Sequence, residues 1–245
     1  MKRFEFDLVT WSAWAPDVRT REQWREWARA PCVTTGTEKP AIPFVPAAIR
    51  RRCGHQDRMV LEVGSECVRD CREPPAIVLG SRHGEAQSNW LLLELLARRE
   101  HLSPMKFSLS VHNASMGLLS IATKNPGVSR SIAAGRGTLA AALLEALGLL
   151  AEHAQVLLLL ADELPPAEHW PYLDEGPAVY ALGLLLAQGR GFEIEVTRGR
   201  TVPNELPALP LPHPLELAAW LARECIEDFE MRALNLAFTL RARLP

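Results

Sequence analysis

Phe4, Phe6 and Leu8 alternate with Glu5 and Asp7, and this period of two predicts a strand reaching about Trp11. The period then changes. Residues 19–30 read as a polar helix carrying Trp24 and Trp27 on one face. Pro31, Pro40, Pro43 and Pro46 make the next stretch, 31–47, a loop. Over 56–71 apolar side chains return every fourth position, at Met59, Val63, Cys67 and Cys71, with Val60 alongside, which is a helical stripe. A short buried strand is predicted at 76–79, ending in Gly80-Ser81-Arg82-His83-Gly84, and a helix follows at 88–99. Residues 107–111 read as a strand or extended segment, after which Asn113 caps a helix running to about Thr123.

The chain is organised around 125–163. A strand over 128–132 enters the small-residue turn Ala133-Ala134-Gly135-Arg136-Gly137. An Ala- and Leu-rich helix follows over about 138–153, then an apolar run of strand length at 155–161. Strand, elbow, helix and strand form a βαβ unit. Such an elbow is where α/β enzymes place a nucleophile, because the turn is sharp and the helix start is electropositive. Here it holds Ala133 and Ala134. The platform is present and the reactive atom is missing.

Beyond the unit, 164–177 is a proline-broken loop. Residues 178–187 are apolar on both faces, as in a central strand. After a turn at 188–191, Phe192, Ile194 and Val196 alternate with polar residues as a second strand. A proline-rich loop at 203–214 precedes a helix at 215–227, and Leu234, Leu236, Phe238 and Leu240 mark a last strand. Strands alternate with helices and then run consecutively, which predicts an α/β fold, a mixed sheet with helices on both faces. No internal repeat or linker divides the chain, so residues 1–245 read as one domain.

Composition narrows the classes. The net charge of −2 supplies no field for nucleic acid. The longest apolar stretch falls far short of the roughly 20 residues of a membrane helix. The first residues lack a signal-peptide pattern, and five cysteines form no secreted-type framework, so the expected compartment is the cytoplasm.

Several side chains invite chemistry, each with a plainer reading. Cys53, His55, Cys67 and Cys71 could be taken as a zinc set, but Cys67 and Cys71 lie on the apolar stripe, where cysteine packs as a small hydrophobe. No metal or other cofactor is expected. Ser81, His83 and Glu85 share one loop, whereas triad members meet in space rather than in one pentapeptide. His112 reads as a polar neighbour of the Asn113 cap. Glu163, at a strand end, reads as a solvated carboxylate. Arg50, Arg51 and Arg52 could meet an acidic carrier, and more simply form a solvated face.

Four segments stand in a fixed order: Val111-His112-Asn113-Ala114, Asn125-Pro126, the run from Ser131 to Gly137, and Leu160-Ala161-Asp162-Glu163. The stretch 107–163 thereby resembles β-ketoacyl synthases, condensing enzymes of the thiolase fold. Those read Pro-Asn at a helix start, then Gly-Pro, a strand, Thr-Ala-Cys-x-Ser-Gly at the elbow, and a strand ending Gly-Gly-x-Glu. The nucleophilic cysteine falls on Ala134, which cannot carry an acyl thioester. The family's catalytic histidines belong to a second half that this sequence does not reach. What the resemblance implies is half of a thiolase-type fold and a non-catalytic relative, a chain length factor of the short form found in aryl polyene biosynthesis, with a Ser-Val-His-Asn-Ala box like that at 110–114.

By the same resemblance, the partner is a β-ketoacyl-ACP synthase in a heterodimer, with an acyl carrier protein engaged indirectly. The partner contact would use helix 113–123 and strand 128–132, with Leu118, Leu119, Ile121, Val128 and Ile132 as its apolar core. Met116, Leu119 and Thr123 share a helical face and would border the acyl tunnel; the plainer reading packs Met116 under its own helix. Two other classes stay open: a hydrolase or acyltransferase using Ser81 or Ser88 with His83, and a structural homodimer without acyl ligand.

Overall fold

Alternating side chains at the N-terminus do form a strand, and it runs longer than the pattern suggests: β1 covers Lys2–Trp14. The computed structural model describes residues 1–199, 211–233 and 235–243. After β1 come α1 (Arg21–Trp27), α2 (Ala47–Arg50), α3 (His55–Val68), β2 (Ala76–Gly80), α4 (Ala86–Ala97), α5 (Pro104–Ser108) and α6 (Ala114–Thr123). Then follow β3 (Ser129–Ile132), α7 (Thr138–Leu149), β4 (Gln155–Asp162), β5 (Tyr180–Arg198), α8 (His213–Ala222), β6 (Phe229–Ala233) and β7 (Leu236–Ala242). Thr20 caps α1 reciprocally: its hydroxyl accepts from Gln23 N–H, and the Gln23 side chain accepts from Thr20 N–H.

The sheet is mixed, in the order β3-β2-β4-β5-β7-β6, with β1 on the open edge of β5. β2 pairs in parallel with both β3 and β4, and the other pairs are antiparallel. β5 takes three partners. β4 lies along its first half and β7 along its second, while β1 follows it from Trp14 opposite Ala181 to Lys2 opposite Val196.

β4 shows how the two cores divide. Leu157 and Leu159 face a layer built from α3 and α6, with Met59, Val63, Ile77, Leu79 and Leu119. Leu158 and Leu160 face the opposite layer, with Leu139 and Leu143 of α7 and Trp220 of α8. All four leucines of this run are fully enclosed. Each contributes about 1.5–3 kcal/mol by leaving water, which explains why the strand is apolar on both faces.

Four expectations change. The turn predicted at 188–191 is a bulge within one continuous strand: Phe6 pairs with Phe192 and Asp7 with Ala187. Asp7 fills the gap, accepting from Gly191 N–H at 2.6 Å. A Cβ on Gly189 would sit 2.0 Å from the Asp7 carboxyl carbon, so this glycine permits a close approach rather than a reversal. Residues 107–111 form no strand; Phe107 and Ser108 end α5 and the chain then turns into α6. The helix expected to reach 227 stops at Ala222, before Glu224 and Cys225 take left-handed backbone angles. The last strand is one arm of a β6–β7 pair. The proline-rich stretch predicted at 203–214 lies outside the described residues as far as 210, as does Leu234.

Candidate functional site

Parallel pairing brings the carboxyl ends of β2, β3 and β4 to one end of the sheet. The loop after β2 is tied there from below. Asp162, the last residue of β4, accepts from the Ser81 hydroxyl at 2.8 Å, from His83 N–H at 2.9 Å and from the Tyr180 hydroxyl at 2.8 Å. Burial, then the Asp162 charge, pushes the Tyr180 phenol well above its ordinary range. Three donors satisfy one buried carboxylate, a structural knot that fixes the loop. Arg82 leaves the loop to pair with Asp174 and Glu175.

His112 ties the same loop from the side. Its Nε2 donates to the Ser81 carbonyl at 2.8 Å, while Nδ1 accepts from the Ser131 hydroxyl. The ring also fills the space over Gly84, where a Cβ would meet it at 2.7 Å. The sequence marked His112 only as a cap neighbour. Asn113 does stand at the start of α6, but its side chain makes no cap bond.

The elbow follows β3. Ala133 is exposed and Ala134 half-buried. Gly135 turns the chain with φ +54°, and Thr138 closes the turn, accepting from Ala134 N–H at 3.1 Å and donating to the Gly135 carbonyl at 2.7 Å. The chain then makes a 3-10 turn, Gly135–Gly137, into α7. His213, at the start of α8, donates through Nδ1 to the Arg136 carbonyl at 3.1 Å. No pattern near residue 213 announced this contact.

The serine-histidine alternative does not survive this geometry. The Ser81 hydroxyl is spent on Asp162 and the Ser88 hydroxyl on Glu85 at 3.1 Å. A nucleophilic serine gives its proton to a base such as histidine. Glu163 also departs from expectation. It is buried rather than solvated, and desolvation pushes its carboxyl up to about 7. The thiol of Cys67 packs against Gly183, and burial raises it to about 12, which disfavours the thiolate that zinc needs.

The residues expected at a partner contact separate into two groups. Leu119 is fully enclosed and Leu118 nearly so. Leu119 packs on Gly64 of α3, where a Cβ would lie 2.8 Å from its methyl. Both leucines are therefore corrected to core residues of this chain. Ile121 and Val128 are exposed, and Ile132 is half-buried. Of the expected tunnel wall, Met116 and Leu119 lie in the core between α3 and the sheet, and the Thr123 hydroxyl donates to the Leu119 carbonyl at 2.8 Å. The packing reading of Met116 is the one the geometry supports. Met116→Trp should overfill this core and cost roughly 1–3 kcal/mol of stability, read as a lower denaturation midpoint.

A third group of large apolar side chains stands open to solvent. Leu91, Leu93 and Leu96 lie on α4, Met105 and Phe107 on α5, and Val111 just before α6. Ile121 on α6 and Val128 before the edge strand β3 are likewise exposed. Among the described residues, no helix is long and apolar enough to cross a membrane.

Known proteins match this arrangement. The family model of the β-ketoacyl synthase N-terminal domain matches residues 24–225. No curated protein sequence matches the chain. In the complex of the ketosynthase ApeO with its chain length factor ApeC from Xenorhabdus doucetiae, one chain is 29% identical, with 98% of this chain and 99% of that one covered and a TM-score of 0.84. The ishigamide ketosynthase/chain length factor shares the fold at 13% identity over 99% of both chains, with a TM-score of 0.72. The ketosynthase from module 6 of the bacillaene synthase of Bacillus subtilis 168 matches at 11% identity, covering 82% of this chain but 42% of its own length, with a TM-score of 0.58. The mixed sheet and its two helical layers are thus about half of a thiolase-type ketosynthase fold. Fold, length relation and family model agree, and this chain belongs to the β-ketoacyl synthase N-terminal domain family.

Proposed function

We propose that this chain is a chain length factor, a non-catalytic subunit that pairs with a β-ketoacyl-ACP synthase and shapes its acyl tunnel in aryl polyene or related polyketide biosynthesis. The elbow carries this reading. Strand β3, the turn and α7 form the platform on which the family mounts its cysteine, and by resemblance Ala134 occupies that position. A methyl group offers no lone pair to an acyl thioester. The match in length to a chain of the ApeO–ApeC complex supports the same reading.

A binding role needs a surface, and the open apolar side chains supply one. Patches of that kind mark protein contacts. Ile121 and Val128 remain the proposed anchors on α6 and before β3, with half-buried Ile132, and the exposed apolar side chains of α4 and α5 would extend the face. β3 lies at the end of the sheet order, so its outer backbone groups are available to a partner. The carrier protein would meet the pair through the synthase.

Co-expression with a β-ketoacyl-ACP synthase, followed by size-exclusion chromatography, tests the pairing. The two chains should elute together at the mass of a heterodimer. Separate elution at micromolar concentration would reject the assignment.

A further inference from the structure

Ser115 sits between two buried carboxyl groups. Its hydroxyl donates to Asp57 Oδ1 at 2.7 Å, and the same oxygen lies 3.4 Å from Glu85 Oε1, long for a hydrogen bond. All three residues are at most 4% exposed. A serine hydroxyl has one proton. With that proton on Asp57, the oxygen shows Glu85 only lone pairs, so the approach is attractive only if Glu85 carries a proton of its own.

The surroundings of the two acids are unequal. Asp57 also accepts from Gly54 N–H at 2.7 Å. Burial raises the Asp57 carboxyl above its ordinary value, but the Ser115 and Gly54 hydrogen bonds and the charge of Arg58, held by the carbonyls of Pro40 and Arg50, oppose that rise. Glu85 receives the Ser88 hydroxyl from α4 and faces two further acids, Asp57 from α3 and Glu163 after β4. Lys39 acts on Glu163. The start of α4 would favour a carboxylate, but the Glu85 side chain makes no cap bond to it. Desolvation first, then the neighbouring charges, pushes the Glu85 carboxyl up to about 8.

We propose that Glu85 is a protonated clamp at neutral pH, its carboxyl proton directed at Ser115 so that Glu85, Ser115 and Asp57 join α4, α6 and α3 in one hydrogen-bonded chain. When the proton passes to water in base, two carboxylates and a lone pair face one another and the tie fails. α4 and α6 carry Leu91, Leu93, Leu96 and Ile121, so the clamp sets the placement of the open apolar face. This holds whatever partner covers that face.

The native carboxyl sits above its ordinary value of 4.5, so the folded chain keeps a proton that the unfolded chain has released. The contribution is present in full below about 4.5 and is lost as pH rises to about 8. Glu163 acts in the same sense up to about 7. His55, His83 and His213, held below 6.5 by burial, act in the opposite sense in acid. Asp57, also raised by burial, acts in the same sense as Glu85, so the total profile mixes several groups, and a difference between two proteins reports Glu85 together with the Asp57 and Glu163 carboxyls it faces.

Glu85→Gln is neutral at every pH, and its amide can donate to Ser115. Chemical denaturation of the full chain and this variant should agree near pH 5. The unfolding constant of the parent should then grow relative to the variant by up to about tenfold per pH unit until about pH 8, and the gap should stay constant beyond. At about pH 8.5, amides of α4 and α6 should exchange more slowly in the variant, by a larger factor than the amides of α7 and β4, which report global unfolding alone. A gap independent of pH would overturn the clamp. If the variant does not fold, the carbon-13 shift of the Glu85 carboxyl in the parent decides: titration near 8 supports the clamp, and titration near the ordinary glutamate value overturns it.

Discussion

Leu119→Asp should leave no folded protein. The leucine is fully enclosed, its methyl groups resting on the bare backbone of Gly64. Truncating such a side chain alone costs about 2–5 kcal/mol. The carboxylate adds an unpaired buried charge worth several more, of order 3–5 kcal/mol. The sum approaches the roughly 5–15 kcal/mol that holds a whole domain. Two residues on, Ile121 is 64% exposed, and Ile121→Asp should keep the circular dichroism and melting of the parent. If α6 lies in the partner contact, the same variant should elute free of the synthase, because an acid trapped in an apolar contact costs roughly 2–5 kcal/mol of binding. Normal folding of the Leu119 variant would show that its core placement is wrong. Unchanged co-elution of the Ile121 variant would move the contact away from α6.

Replacing the partner synthase's nucleophilic cysteine by alanine should abolish condensation by the pair, a loss of about 10³-fold or more. Ala134→Cys in this chain should not restore it. The new thiol would stand at a helix start, where thiols are acidified and alkylate readily. Turnover needs more than a thiolate. His112 gives both ring nitrogens to Ser131 and Ser81, and His213 commits Nδ1 to the Arg136 carbonyl. The double variant should therefore react with iodoacetamide yet form no product from malonyl and acyl thioesters. Recovery of condensation would show that this elbow is served by a working acid–base set.

Local patterns carried much of the architecture. The stripe at Met59, Val63 and Cys67 marks α3, the apolar run of strand length at 155–161 marks β4, and the small-residue elbow places β3 and α7. Misreadings came where two signals competed. Phe107, Leu109 and Val111 alternate like a strand, but Ser103 accepts from Lys106 N–H and Pro104 opens a helical turn. Gly189 and Gly191 look like a reversal and instead make room for Asp7. Phe229 and Met231 alternate with Glu230 and Arg232, a strand signal for β6 that the preceding helix pattern masks.

The polar interior was harder to see, for a physical reason. Asp57, Glu85 and Ser115 meet only after three helices pack, and Ser81, Asp162 and Tyr180 only after the sheet forms. One hint was available. Asp57 shares a helical face with Val60, Leu61 and Gly64, and an acid on an apolar face must find a partner across the core. The resemblance puts the helix of Leu118 and Leu119 in the partner contact without saying which of its faces is used. A helix has more than one face: Leu119 packs with the α3 residues, and Ile121 stands open to solvent.

Malonyl-dependent condensation, followed by mass spectrometry of the product, separates a non-catalytic subunit from an enzyme when run on this chain alone, the synthase alone and the pair. This chain alone should give no product, however long the incubation, and the pair should give product that depends on the synthase's cysteine. Condensation by this chain in the absence of any synthase would contradict the non-catalytic assignment.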